Sequence, residues 1–113
     1  MNAWLGFQTG WDRHWRTDRY GAPEHPYLST AVAEALVAAG VLVAGIDSVN
    51  IDDTRGTSRP IHSTLLAAGI LIVEHMTALD QLIGKQFRFF AAPPKVRGMA
   101  TFPVRAFALV DGD

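Results

Sequence analysis

The sequence predicts an α/β fold, a mixed sheet with two helices. Three observations carry this. Two short apolar runs rich in β-branched residues, 41–46 and 70–73, have the continuous hydrophobicity of strands buried on both faces. Each follows a segment with helical spacing that ends at a glycine, Gly40 or Gly69. Beyond Phe87, two further strand-like stretches lie without a helix between them.

Taken in order, residues 3–8 read as a short buried strand. Residues 9–26 are polar and aromatic, with Gly10, Gly21, Pro23 and Pro26, and so form a loop. Ser29 is placed to cap a helix over 30–39, in which Val32, Leu36 and Val37 recur at helical spacing and Gly40 supplies the terminator. The strand 41–46 follows, then a polar loop over 47–59. A second helix runs over 59–68, with Ser58 as its cap and Pro60 tolerated in its first turn. Strand 70–73 ends at Glu74, and residues 76–82 suit a short helical turn. Residues 87–91 and 104–109 are the last two strands, joined through Pro93, Pro94 and the 98–103 segment. Both helices lie in strand–helix–strand units, so the strands they join should be parallel.

At 113 residues the chain is expected to form a single domain, and 49% hydrophobic residues give it a core to bury. Charged residues are only 19%, below the usual quarter, which points to surface covered by a partner. The net charge of -1 gives no global reason to expect nucleic acid or membrane as partners, and neither is expected. The tail is locally basic, with Lys85, Arg88, Lys95, Arg97 and Arg105 and no acid between Gln81 and Val110. These side chains either guard strand edges or offer a face to phosphate. There is no cysteine, which excludes disulfides, thiolate ligands and a cysteine nucleophile and accords with a cytoplasmic location. The N-terminus has neither a basic region nor a long apolar one, and so does not read as a signal peptide.

Two residues stand out chemically. Glu74 sits at the C-terminal end of a buried strand, where open α/β sheets place their ligands. His62 stands near the start of the second helix, where the helix N-terminus favours the neutral imidazole that binds metal. A helix start and the end of the following strand share one edge of the sheet, so His62 and Glu74 can meet. His75 follows Glu74 directly and, on a strand, would point to the opposite face, which makes it a poor third ligand. Trp11, His14 and Trp15 form either an aromatic substrate wall or a cluster pinning the long loop to the core. His25, held extended before Pro26, reads as structural. Ser48, Ser58 and Ser63 lack the surroundings of an activated nucleophile.

Order and spacing then converge on a family. The stretch Thr9-Gly10-Trp11-Asp12-Arg13-His14-Trp15 precedes His25-Pro26-Tyr27-Leu28-Ser29. Later comes His62-x2-Leu65-Leu66-x2-Gly69-Ile70-x-Ile72-x-Glu74, leading into Leu79-Asp80-x-Leu82. Together they resemble the C-terminal half of the cyclase family of metal-dependent hydrolases, which includes bacterial arylformamidases and isatin hydrolase. The resemblance also takes in residues 45–48, Lys95-Val96-x-Gly98 and residues 103–106. It implies the C-terminal part of the swivelling β/β/α cyclase fold. It also implies zinc or manganese as cofactor, with His62 and Glu74 among the metal ligands and Trp11, His14 and Trp15 in the substrate-binding loop. The reaction it implies is hydrolysis of an amide, formamide or lactam C–N bond by a metal-activated water.

The family's His-x-Gly-Thr-His-x-Asp-x-Pro-x-His motif, which carries most of the ligands and a proton-shuttling histidine, is not in this sequence. The chain is therefore expected to be truncated, with an incomplete metal site, no catalytic residue of its own, and little or no turnover alone. The alternative is a non-catalytic oligomeric protein that keeps the scaffold and binds a small molecule or a partner protein. Half a fold exposes sheet edges and apolar surface, so a homo-oligomer, or a separate chain supplying the missing half, is expected to cover them.

Overall fold

The computed structural model describes residues 4–112. The chain, expected from its length to be one domain, divides into two compact units, Met1–Asp80 and Gln81–Asp113.

The first unit is a three-stranded parallel sheet with two helices. Strand β1 (Trp4–Phe7) is followed by a 3-10 turn (Trp11–His14) and helix α1 (Thr30–Ala39). Then come β2 (Val43–Ile46), α2 (Pro60–Ala67) and β3 (Leu71–Val73), and a second 3-10 turn (Leu79–Leu82) straddles the end of the unit. The sheet order is β1-β2-β3, with Phe7 opposite Ile46 and Gly45 opposite Val73. Both helical connections therefore join parallel neighbours, as their placement between strands requires.

The capping of α1 follows its sequence. Ser29 accepts a bond from the Val32 N–H at 3.2 Å, and Gly40 ends the helix at φ +71, a left-handed conformation that glycine adopts without steric cost. The start of α2 departs from expectation. Ser58 does not cap it; Arg59 is the N-cap residue and gives no side-chain bond. The orphan donors of the first turn go instead to Asp52, a residue ten positions upstream of His62.

The two faces of the sheet are built differently. Leu5, Phe7, Ala44, Ile46 and Ile72 meet the apolar faces of α1 and α2, including Ala33, Leu36, Ile61 and Leu65. On the opposite face the Trp4 ring lies over the strands. A Cβ on Gly6 would fall 1.9 Å from Trp4 Cη2, and one on Gly45 would fall 2.6 Å from Met76 Sδ. Only glycine admits the indole and the thioether this close to the backbone.

The second unit is an antiparallel pair, β4 (Phe87–Ala92) and β5 (Arg105–Val110), with Phe90 opposite Phe107. Those two rings stack at 5.0 Å with their planes 12° apart, and the Arg105 guanidinium lies over Phe107 at 5.7 Å. A two-stranded ribbon has two edges and little core of its own, so cross-strand aromatic pairs carry much of its cohesion. Arg88 and Arg105 are exposed, which suits edge strands. Among the described residues, no helix is long and apolar enough to cross a membrane.

Candidate metal and substrate site

His62, Glu74 and the Trp11, His14 and Trp15 group lie in the first unit, whereas the basic residues of the tail lie in the second. Each strand end contributes a carboxylate or is held by one. Asp47 directly follows β2 and is wholly buried. Its carboxylate accepts from the Thr9 N–H at 2.9 Å, from the Gly10 N–H at 2.9 Å and from the Thr9 hydroxyl. The loop after β1 is thereby tied to the end of β2, and Gly10, at φ +84, turns its N–H toward the same carboxylate. Asp12 extends the tie by accepting from the Ala78 N–H at 3.0 Å.

His62 and Glu74 do meet. His62 Nε2 lies 3.5 Å from Glu74 Oε2, and that oxygen also accepts from the Ile51 N–H at 2.8 Å. The arrangement behind His62 was not anticipated. Asp52, 2% exposed, accepts from the Ile61 and His62 backbone N–H groups at 2.8 Å each and from His62 Nδ1 at 2.7 Å. Burial by itself would raise the Asp52 carboxyl. The His62 and Ile61 N–H groups, with the His62 ring, outweigh it and hold the group below the usual carboxylate range.

A carboxylate can only accept, so the Nδ1 proton of His62 belongs to this bond. The neutral ring then carries its lone pair on Nε2, toward Glu74. A histidine held at Nδ1 by a carboxylate and open at Nε2 is the arrangement that orients a metal-binding imidazole. Two acceptors converging at 3.5 Å, Nε2 and Oε2, favour a cation near both. Arg59 brings one to His62 alone, its Nη2 lying 2.9 Å from His62 Nε2.

The donor set suits a divalent ion in kind, one imidazole nitrogen and one carboxylate oxygen, but falls short in number. Among the described residues, no group of three or more histidine, aspartate and glutamate side chains could hold a metal ion. A catalytic zinc ordinarily takes three protein ligands. Asp52 is behind His62 with its bonds directed to α2, so it orients the His62 ring. His75 stays out of the pair, though not through strand alternation. The strand ends at Val73, and His75 sits at φ +61. Its Nδ1 is hydrogen-bonded to the Tyr20 hydroxyl at 3.0 Å.

The three residues expected in a substrate loop separate by burial. Trp11 is 5% exposed and donates its indole N–H to the Tyr20 carbonyl at 2.8 Å, so its ring fastens the loop internally. His14 meets the Trp11 ring edge-on at 4.5 Å, and partial burial with the nearby Arg13 and Arg19 lowers its pKa. Trp15 is 46% exposed and stands edge-on to Tyr20 at 5.1 Å, with His75 at 6.4 Å. Of the three, Trp15 presents the most ring to solvent. His25 is structural as expected: it is 1% exposed, with Nδ1 on the Pro26 carbonyl and Nε2 on the Thr54 hydroxyl, each at 2.9 Å.

Tyr20 titrates unusually. Its phenol is pushed up to about 12 from 10.0, first by burial and then by the charges of Asp47, Asp12 and Glu74. The native state thus holds its proton where the unfolded chain releases it. The associated stability is fully present below pH 10 and is lost as the pH rises toward 12. Tyr20→Phe removes that term, so the stability gap between wild type and variant should narrow steadily across this window in alkaline urea titrations.

Comparisons with known proteins agree with one another. Residues 1–53 match the family model described as "Putative cyclase". The uncharacterized protein MJ0783 of Methanocaldococcus jannaschii is 30% identical over 105 residues, which are 90% of this chain and 51% of that protein. An isatin hydrolase crystallised with the product analogue thioisatinate shares the fold at a TM-score of 0.83. Its identity is 24%, and the match covers 96% of this chain and 45% of that one. A potential metal-dependent hydrolase with cyclase activity matches at a TM-score of 0.65 and 28% identity, over 77% of this chain and 42% of that one. The chain spans about half the length of the relatives it matches. The family model over residues 1–53 and the folds of the two solved structures agree in likening the chain to the cyclase family.

Proposed function

We propose that this chain provides one part of a divalent-metal hydrolase centre acting on amide, formamide or lactam C–N bonds. His62 and Glu74 are its ligands, and the remaining ligands come from a second copy of the chain or from another polypeptide. The observation that supports this reading is the convergence of His62 Nε2 and Glu74 Oε2, with Asp52 fixing the ring from behind. Zinc or manganese bound there would polarise a carbonyl and make a water acidic enough to act as nucleophile. The chain's own residues do the positioning. Asp52 keeps the His62 proton on Nδ1, the Ile51 N–H fixes Glu74 Oε2, and Asp47 docks the loop carrying Trp15 at the same edge of the sheet. Two ligands without a shared general base should give the isolated chain little turnover.

A second reading, an oligomeric binding protein without catalysis, is supported by an apolar groove between β1 and α1. Leu5, Phe7, Val32, Leu36 and Val41 line it. The first reading is tested by equilibrating purified protein with zinc or manganese, desalting it, and measuring retained metal and mass together. Retention by wild type, lost in both His62→Ala and Glu74→Ala, in a particle heavier than one 12.3 kDa chain, is the expected result. Wild-type protein that retains no metal, or variants that retain as much as wild type, would sink the metal reading and leave the binding protein.

A further inference from the structure

We infer that two copies of this chain join through the β1 edge and the α1 face, each covering the other's apolar groove. The inference stands apart from the metal reading and gives the groove beside α1 its occupant. Four observations lead to it. First, among the described residues the sheet ends at β1, and residues 5–7 have a strand on the β2 side only. Edge strands are ordinarily guarded by charges or a proline. Trp4-Leu5-Gly6-Phe7 holds neither, and all four residues are half-buried. Second, α1 is apolar nearly all round. Glu34 is its one charged residue, and Ala31, Ala35, Val37, Ala38 and Ala39 are exposed. A helix facing water carries a polar face, whereas one that is hydrophobic all round is built to be covered.

Third, strand and helix leave a groove between them, lined by Leu5, Phe7, Val32, Ala35, Ala39 and Val41. Fourth, the chain has the surface for an interface. A folded chain of 12.3 kDa exposes about 6,100 Å², whereas this one exposes 7688 Å². The excess is about twice the 800 Å² that a stable interface takes from each partner. The other sheet edge is less suited: β3 is three residues long, and α2 beside it carries His62, Ser63 and Thr64.

Charge and geometry select the occupant. A face with one glutamate has nothing to hold a polyanion or an anionic membrane. A second copy brings the same neutral surface and the same edge, and so matches on both counts. The register follows from the faces. Leu5 and Phe7 both pack toward α1. Opposite residues of an antiparallel pair share a face, and a slip of one residue would throw the two helices to opposite sides. A two-fold axis through Gly6 sets Leu5 of one copy opposite Phe7 of the other, uses all of residues 5–7, and keeps both copies of α1 on one side. The strands of the two copies then run opposite ways, so their His62–Glu74 pairs lie at opposite ends of the joined sheet and share nothing.

The experiment is sedimentation equilibrium of the full chain from micromolar to submillimolar concentration, with a chelator present so that no metal-driven assembly is counted. Wild type is compared with Ala35→Lys and Ala39→Lys on α1 and with Ala106→Lys on the ribbon. All three alanines are exposed, so lysine leaves the fold of the single chain intact, which circular dichroism verifies. Wild type and Ala106→Lys should reach twice 12.3 kDa. In both α1 variants the dissociation constant should rise about a hundredfold, because the two-fold brings a lysine from each copy into one apolar face. Amide exchange within residues 5–7 should slow in the dimer and recover on dilution. A wild type that stays at 12.3 kDa throughout overturns the inference, and is the result if a different polypeptide covers this face. A dimer that survives both α1 variants, one that falls apart in Ala106→Lys, or one whose residues 5–7 exchange as fast as in the monomer overturns it equally. None of these outcomes bears on the His62–Glu74 pair, whose metal retention is measured separately.

Discussion

Replacing Asp52 with alanine is expected to cost about 3–4 kcal/mol of stability and to undo the His62–Glu74 pair in the same step. The carboxylate is 2% exposed and takes three donors: the Ile61 N–H, the His62 N–H and His62 Nδ1. Alanine leaves two helix-start donors without partners in a buried setting, at about 1–3 kcal/mol each before relaxation. It also removes a negative charge from the end of α2 where the helix dipole favours one. Asp52→Asn separates these roles. The amide oxygen can still accept a backbone N–H, so the stability loss should be smaller, about 1–2 kcal/mol. Its NH2, however, would now face Nδ1 as a donor and drive the ring proton to Nε2, which blocks the metal lone pair. Nitrogen chemical shifts of the His62 ring would report that switch directly, and metal retention should fall as far as in His62→Ala.

The same group dictates an acid dependence. The folded Asp52 carboxyl lies below its ordinary value, so its contribution is complete above about pH 4 and disappears as the pH falls through the lower folded value. The stability gap between wild type and Asp52→Ala should therefore be constant from neutrality to about pH 4 and close below it. A gap that closes already between pH 5 and 6 would show that another group carries the capping.

Why Asp52 escaped a reading of the sequence, while His62 and Glu74 did not, is a matter of where local pattern ends. Glu74 terminates an apolar run and His62 follows a proline-marked helix start, so each has an address set by its neighbours. The parallel pairing of β2 with β3 then brings the two addresses to one edge. Asp52 lies in a polar loop beside Asp53, and no spacing distinguishes the two; only the folded path turns Asp52 inward and leaves Asp53 half-exposed on Arg55. Asp47 was more accessible. It follows β2 as Glu74 follows β3, and the argument that marked Glu74 applies to it unchanged. For His75 strand alternation is the wrong rule, because the strand stops at Val73, two residues before it. The division of the chain near residue 80 left no mark either, because the tail's strands read like any others until their pairing with each other alone is known.

Asp47→Ala should have the largest effect of any single change in the site, about 4 kcal/mol, since it deprives several donors at the strand ends of their buried acceptor at once. The Thr9 and Gly10 N–H groups and the Thr9 hydroxyl have no other acceptor of comparable strength at the strand ends. Once they are released, the loop that carries Trp11, Trp15 and Tyr20 loses its attachment to β2 and keeps the Asp12 contact with Ala78 and the Tyr20 bond to His75. Trp11 is buried only while that loop is docked, so its emission should shift to the red. Trypsin should cut at Arg13, Arg16 or Arg19 well before the core unfolds. Asp53→Ala is the matched control: an exposed carboxylate paired with one arginine, it should stay within about 0.5 kcal/mol of wild type and keep the loop resistant. The phenol of Tyr20 provides an independent readout. Burial and the Asp47 charge both hold it near 12, and the variant removes the charge while loosening the burial, so ultraviolet titration should show it ionising closer to 10. A Tyr20 that still ionises near 12 in Asp47→Ala would mean that the loop docks without Asp47, through the Asp12–Ala78 and Tyr20–His75 bonds, and that the carboxylate is far less central to this edge of the sheet.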